Sequence, residues 1–293
     1  MIAVAEEVRS AAAVVALETT LVAHGFPGRA GLEAGLEAER RVRAAGAVPA
    51  TVAVVDGSVR VGLSASELER IAEAGSEARK VGPRDLAACV VDGALGATTA
   101  GATLAVCRAA GIRFMATGGL GGVHRGFPSP PDVSADLLEL VRSCALVVSA
   151  GFKSLLDVRA TAELLETLSI PVLGWRTDEL PLFYAAGGGP PVSARVESAE
   201  QAAAIARAHW ELGRGTALVL ARPPDESLDD VEPLIDEALA DARAQGIAGS
   251  DVTPFVLSLV HERSGGRTVT ANQELVAANA GLAAEVAVAY QDS

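Results

Sequence analysis

Ile112-Arg-Phe-Met-Ala-Thr-Gly-Gly-Leu-Gly-Gly-Val-His-Arg-Gly126 is the stretch on which the reading of this chain turns. An apolar run from Ile112 to Met115 leads into it, and Arg113 to Ala116 reads as a strand. From Ala116 to Gly126 the chain is dominated by glycine. Glycines let a backbone approach a ligand closely and point several N–H groups at an anion. His124 and Arg125 at the end of the loop, and Lys153 beyond it, supply positive charge. A loop of this composition is costly to fold and seldom needed for packing, so it points to a phosphorylated small molecule. By itself the signal is weak, because the loop lacks the GxGxxG or GxxxxGK[ST] context.

Outward from this loop, short apolar runs alternate with helical patterns. Strands are expected at Val14 to Leu17, Thr51 to Val55, Leu146 to Ser149, Val172 to Gly174 and Thr216 to Leu220. Asp56-Gly57 is a turn signal that closes a hairpin onto Val59 to Val61. Ser64-Ala-Ser-Glu67 resembles a capping box that opens a helix to Glu73. Further helices are expected at Gly31 to Ala45, Arg84 to Asp92, Thr99 to Ala110, Val133 to Ser143, Lys153 to Leu168, Ser198 to Leu212, Leu228 to Gln245 and Gln273 to Tyr290. Phe183 to Val192 is the main irregular excursion, either a lid or a surface loop. The alternation predicts an α/β fold: three α/β/α layers with a mixed, largely parallel central sheet. No internal repeat is visible, and residues 1–293 are expected to form a single domain.

Composition narrows the function. A net charge of −13 and the lack of a long basic run argue against nucleic acid and against an anionic membrane surface. A phosphate substrate needs only a few local cations. Aromatics are 3% of residues, so the core is built from Ala, Val and Leu. The three cysteines, Cys89, Cys107 and Cys144, have no CxxC spacing and suit a reducing compartment. Met1 is followed by Glu6 and Glu7 rather than by a basic leader, and no run is apolar and long enough to span a bilayer. A cytoplasmic protein is expected.

Several residues stand where chemistry is done. Glu18 directly follows a strand, at the edge where open α/β sheets place ligands. Burial there would raise its pKa toward a proton-transfer role; the alternative is a strand-end acid paired with an arginine. Lys153 also follows an apolar strand, through Ala150-Gly-Phe152. An amine in an apolar mouth can form an imine with a sugar aldehyde; the alternative is a solvated lysine at a helix start. Asp132 and Asp136 are either helix-capping acids or holders of a hard divalent cation. Lys80 lies in a breaker-rich segment, as a phosphate ligand or as a solvated charge. No histidine pair has zinc spacing.

Taken together the motifs resemble the pseudouridine-5′-phosphate glycosidase family, also called indigoidine synthase A-like proteins. The matching pieces are Val15-Ala-Leu-Glu-Thr-Thr20 with His24-Gly25, Gly46 to Thr51, Val61 to Ser64, Lys80 to Asp85 and Gly96-Ala-Thr-Thr99. They continue through Ala116 to Gly126, Asp132-Val-Ser-Ala-Asp136, Ala150-Gly-Phe-Lys-Ser154, Thr253-Pro-Phe255 and Asn272. The resemblance runs from about Val14 to Tyr290.

The resemblance implies reversible cleavage of pseudouridine 5′-phosphate to uracil and ribose 5-phosphate, a lyase or glycosidase reaction on a C–C bond. A carbon leaving group departs poorly from a simple oxocarbenium ion, so the two-carboxylate arrangement of most glycosidases is not expected. The resemblance makes Lys153 the nucleophile that forms the imine, Glu18 the proton donor and Asp132 the ligand of a divalent metal, taken as manganese. It matches Lys80, Ala100, Ser134, Ala135 and Asp136 to substrate contacts, and places Thr117, Gly118, Gly119, His124 and Asn272 around the ribose phosphate or the base. It also implies a homotrimer. Ala100 replaces a larger apolar residue, Arg222 stands where Asn is expected before Pro223-Pro224, and Phe127 to Pro131 is unusually proline-rich. Two other readings use the same pocket: a Schiff-base aldolase acting on another phosphosugar, and a phosphosugar sensor without turnover.

Overall fold

The computed structural model describes residues 1–292 except 130, 229 and 248. The chain begins with β1 (Ile2–Val4), α1 (Glu6–Ser10), β2 (Val14–Leu17), α2 (Thr20–His24) and α3 (Ala30–Ala44). β3 (Val48–Val55), β4 (Ser58–Val61), α4 (Ala65–Ala74), β5 (Arg79–Val81), α5 (Leu86–Val91), β6 (Gly96–Thr98) and α6 (Ala100–Ala110) follow. Next come β7 (Phe114–Ala116), α7 (Ala135–Arg142), β8 (Leu146–Ser149), α8 (Val158–Thr167), β9 (Val172–Trp175) and β10 (Ala194–Val196). α9 (Ala199–Glu211), β11 (Leu218–Ala221), α10 (Glu232–Ala244), α11 (Val252–Arg263) and α12 (Arg267–Asp292) complete the chain.

Eleven strands form one sheet in the order β1-β4-β3-β2-β7-β8-β11-β9-β10, with β6 on β3 and β5 on β6. From β2 to β10 every pairing is parallel. β3 changes partners along its length. Its first half pairs parallel with β2, and its second half pairs antiparallel with β4 and β6. At the change-over the Val52 carbonyl accepts the hydroxyls of Thr19 and Thr98, each at 2.7 Å. Both threonines are fully buried, so these bonds satisfy polar atoms that no water reaches.

Alternate residues of each strand face opposite helix layers. Val15, Leu17, Phe114, Leu146, Val148, Leu218 and Leu220 pack on the alanine-rich faces of α3, α9 and α12. Ala16, Met115, Val147, Val219 and Ala221 face the other layer, where α6, α7, α10 and α11 lie. Burial on both faces explains why the strands read as continuous apolar runs. The layered, largely parallel architecture expected from the sequence is the one observed.

Several element ends differ from those expected; β3 starts at Val48 rather than Thr51, and β11 at Leu218 rather than Thr216. The helix expected from Lys153 begins at Val158, with the Asp157 carboxylate accepting the Ala160 amide at 2.9 Å. Residues 150 to 156 instead run beside the glycine loop as irregular chain. The helix expected from Val133 begins at Ala135, capped by Ser134. The helix expected from Leu228 begins at Glu232, and Asp229 lies outside the described residues. α12 starts at Arg267, ahead of Gln273, and α11 has no counterpart in the sequence reading. α11 carries Pro254 and β-branched residues at 252, 253, 256 and 260, which mask a helical period. Phe183 to Val192 is irregular, as expected; of the proline-rich stretch, Pro130 lies outside the described residues.

Candidate active site

Three adjacent parallel strands end at one place. β2 leads directly into Glu18, β7 into Thr117-Gly118-Gly119, and β8 through Ala150-Gly-Phe152 to Lys153. Glu18, Thr117, Gly118, Gly119 and Lys153 line one pocket, together with Lys80, Ser154, Phe183 and Asn272. Its outer wall is His24-Gly25-Phe26 at the end of α2, and Thr253, Pro254 and Leu257 of α11. The pocket thus lies at the carboxyl edge of the sheet, where strand ends leave room for a ligand.

Glu18 is 6% exposed, and the Thr117 hydroxyl donates to its carboxylate. Burial raises its pKa above the ordinary glutamate value; the Lys153 charge and the Thr117 bond oppose that shift without cancelling it. A buried acid that holds its proton above the ordinary carboxylate range suits a proton donor. Lys153 is half-buried on the wall of the same pocket. It lies five residues ahead of α8, in irregular chain rather than at a helix start. Lys80, on β5, is the amine whose pKa is pushed down, first by burial and then by the positive charge of Lys153.

The glycine loop departs from the expected anion cradle. Five of its N–H groups are engaged within the protein: Thr117 on the Val148 carbonyl, Leu120 on Gly151 and His124 on Asp132, with the other two on side chains. Gly121 donates to Asp136 at 2.8 Å and Val123 to the Thr161 hydroxyl at 2.9 Å. The glycines are required by close approach. A Cβ on Gly119 would lie 2.5 Å from the Phe183 ring, one on Gly121 2.3 Å from the Ser134 hydroxyl, and one on Gly122 2.5 Å from that of Thr161. Packing is therefore the main reason for these glycines, contrary to the sequence expectation. Only Gly118 and Gly119 of the loop's glycines line the pocket.

The remaining sequence-marked residues form a layer beside the pocket. Asp136 is buried; its two carboxylate oxygens accept the amides of Gly101 and Gly121, so it ties α6 to the loop. Ser134 accepts the Asp136 amide at the head of α7, and Ala135 is the first residue of that helix. Ala100 is buried at the first turn of α6. His124 lies with Nδ1 3.8 Å from the Asp132 carboxylate, and burial lowers its pKa. Arg222 is not in the pocket: it bonds Asp225 at 2.6 Å and lines a separate cavity with Tyr184 and Arg267. Its departure from the family pattern is therefore a matter of that cavity rather than of the Lys153 pocket.

Among the described residues no group of three or more His, Cys, Asp or Glu is placed to hold a metal. Asp132 fits a looser arrangement. Its side chain is 35% exposed, with the His124 ring 3.8 Å away. A hard divalent cation that keeps most of its waters needs only one or two carboxylates.

Sequence reading missed Asn279. This fully buried α12 residue donates to the Thr117 carbonyl at 2.8 Å and holds the start of the glycine loop from below. Its placement seven residues after Asn272, two turns along α12 on the same side, was the available signal. Phe183, at the start of the irregular excursion, is 4% exposed and packs against Gly119.

A parallel sheet that brings a buried carboxylic acid and two lysines to one pocket at its carboxyl edge defines an α/β protein built for chemistry on a small anionic molecule. Comparison with known proteins gives the family. The model of the family described as indigoidine synthase A like protein matches residues 3–289, and the chain belongs to that family. The pseudouridine-5′-phosphate glycosidase of Herpetosiphon aurantiacus is 48% identical over 284 residues, 96% of this chain and 93% of that protein. The Escherichia coli K12 protein of the same name is 42% identical over 282 residues, 95% and 90% of the two chains. Among solved structures, the prealnumycin C-glycosynthase AlnA in complex with ribulose 5-phosphate superposes with a TM-score of 0.90 at 37% identity, covering 100% of this chain and 97% of that one. An indigoidine synthase A-like protein of Thermotoga maritima gives 0.88 at 36% identity, covering 99% and 97%.

Proposed function

We propose that this protein is an enzyme that reversibly cleaves the C–C glycosidic bond of pseudouridine 5′-phosphate, giving uracil and ribose 5-phosphate. The observation that carries the reading is the convergence of Glu18 and Lys153, from the ends of β2 and β8, on one pocket. The shared name of relatives that match nearly the whole chain supports the substrate. A solved relative that binds ribulose 5-phosphate supports a pentose phosphate as the ligand class.

In this reading the unprotonated amine of Lys153 forms a bond to C1′ as the C1′–O4′ bond breaks and O4′ takes a proton. The nitrogen lone pair then forms C=N as the bond from C1′ to the uracil carbon breaks. Glu18 delivers the proton that the departing uracil carbon needs. Water hydrolyses the imine and frees ribose 5-phosphate. Lys80, Thr117, Gly118, Gly119, His124 and Asn272 hold the phosphate, sugar or base; Ala100, Ser134, Ala135 and Asp136 shape the floor beneath them. Asp132 would hold a manganese ion with water, which when bound supplies positive charge for the anionic substrate. A cytoplasmic homotrimer is the form in which we expect the enzyme to act.

Imine trapping tests this. Borohydride with ribose 5-phosphate should leave a pentose phosphate on Lys153, located by peptide mass spectrometry. Lys80 shares the pocket and its pKa is lowered, so an adduct on Lys80 instead would move the nucleophile there. Release of uracil from pseudouridine 5′-phosphate separates this activity from a Schiff-base aldolase, which would release none.

A further inference from the structure

We infer that Arg125 is a positioning residue for Lys153: it latches the lysine-bearing segment to α10 and keeps the amine aimed into the pocket. The inference rests on Lys153 being the nucleophile. Residues 150 to 157 are zipped to the glycine loop by backbone bonds. The Ala150 amide donates to Gly118 at 2.9 Å, that of Lys153 to Leu120 at 2.9 Å and that of Asp157 to Val123 at 2.9 Å. Between Lys153 and Asp157 the segment has no such support from the loop's main chain apart from the short bridge of Leu156 to His124.

Arg125 fills that gap. Its Nη2 donates to the Ser154 carbonyl at 2.8 Å and its Nε to the Leu156 carbonyl at 3.2 Å. The same guanidinium bonds Glu232 and Asp236 on α10, each at 2.6 Å. Four acceptors engage the fixed fork of the guanidinium, which a lysine ammonium cannot reproduce. The side chain is 28% exposed, so water competes only in part. Its charge is thus directed away from the pocket, where sequence reading had placed it. α10 packs against α11, whose Thr253, Pro254 and Leu257 form the outer wall. Arg125 therefore links the reactive segment to the helix pair that covers the ligand.

The test compares parent, Arg125→Lys and Arg125→Ala. Steady-state kinetics on pseudouridine 5′-phosphate and the rate of borohydride trapping with ribose 5-phosphate are the readouts. A nucleophile displaced by about an ångström loses on the order of a hundredfold in rate. Arg125→Lys should lower kcat and the trapping rate together, by roughly ten- to a hundredfold, with KM within about threefold of the parent. Millimolar guanidinium should restore part of the activity of Arg125→Ala. If that variant fails to fold, Arg125→Lys, which keeps the charge and most of the bulk, carries the reading. Parental trapping by Arg125→Lys overturns the proposal, and so does a loss confined to KM. A parent that traps no pentose on Lys153 overturns the nucleophile assignment itself and with it this role, and that outcome is visible before any variant is made.

Discussion

Asp136 holds the amide of Gly121, fifteen residues earlier, on one carboxylate oxygen at 2.8 Å, and its other oxygen holds the amide of Gly101. One side chain on the first turn of α7 thereby fixes both the glycine loop and the head of α6. Buried amides at a helix start have no intrahelical acceptor, and a carboxylate is the strongest acceptor a protein can place there. With both oxygens engaged, Asp136 shapes the pocket through the loop, while its charge is felt at Glu18 and Lys80.

Asp136→Asn should therefore destabilise the protein. An amide side chain can accept one of the two N–H groups, but its NH2 then faces the other. A buried, charge-assisted pair exchanged for a donor–donor contact costs roughly 2–4 kcal/mol. Urea unfolding monitored by circular dichroism measures it. A midpoint equal to the parent's would show that the carboxylate does not bear on the fold.

The glycines of the loop make a steric prediction. Gly122→Ala places a methyl 2.5 Å from the Thr161 hydroxyl oxygen and 2.6 Å from its methyl group. Overpacking of this kind costs about 1–3 kcal/mol. Thr161→Ala removes both atoms, at the expense of the hydroxyl that accepts the Val123 amide. The double variant should be more stable than the sum of the two single losses, with a coupling of about 1 kcal/mol. Strict additivity in a double-mutant cycle would refute the contact.

Glu18 gives a pH dependence whose sign is fixed by burial. Its pKa is raised in the folded protein, so the native state binds the proton more tightly than the unfolded chain. The associated stability is complete below the unfolded glutamate value and is lost as pH rises through the folded value. Glu18→Gln removes that loss, and glutamine can still accept the Thr117 hydroxyl. The variant should gain stability relative to the parent as pH rises from 4 to 8, while kcat falls by about 10²–10⁴. Thermal unfolding across that range, paired with uracil release, checks both. Equal pH slopes for parent and variant would contradict a raised pKa.

The layered sheet was legible because each central strand is buried on both faces and is flanked by capping and turn signals, as at Ser64 and at Asp56-Gly57. Glu18 and Lys153 were legible because a charge directly after an apolar strand is conspicuous. The partner change of β3 was not, since nothing within Val48 to Val55 marks it and the threonines that bond the Val52 carbonyl at the change-over, Thr19 and Thr98, are far away in sequence. The purpose of the glycines was misread for a related reason. Composition shows that a backbone is bare, but not whether a ligand or a helix lies against it. Arg125 looked like a ligand charge until Glu232 and Asp236, distant in sequence, were seen beside it.

Lys80 carries the opposite electrostatic cost to Glu18. Burial, and then the charge of Lys153, lower its pKa in the folded state. The native protein therefore binds that proton less tightly than the unfolded chain does. The penalty is complete below the folded value, fades as pH rises through that value, and is gone above the unfolded lysine value. Lys80→Met should raise the unfolding free energy at pH 7, by more than at pH 10, because the methionine stem replaces the buried methylenes without the charge. The same variant should bind the anionic substrate more weakly, with KM raised about tenfold or more for one lost charge-assisted contact. Denaturant titrations at the two pH values and steady-state kinetics at pH 7 test the pair. A variant that is less stable at pH 7 with an unchanged KM would show that Lys80 is a structural cation rather than one kept at a cost for the ligand.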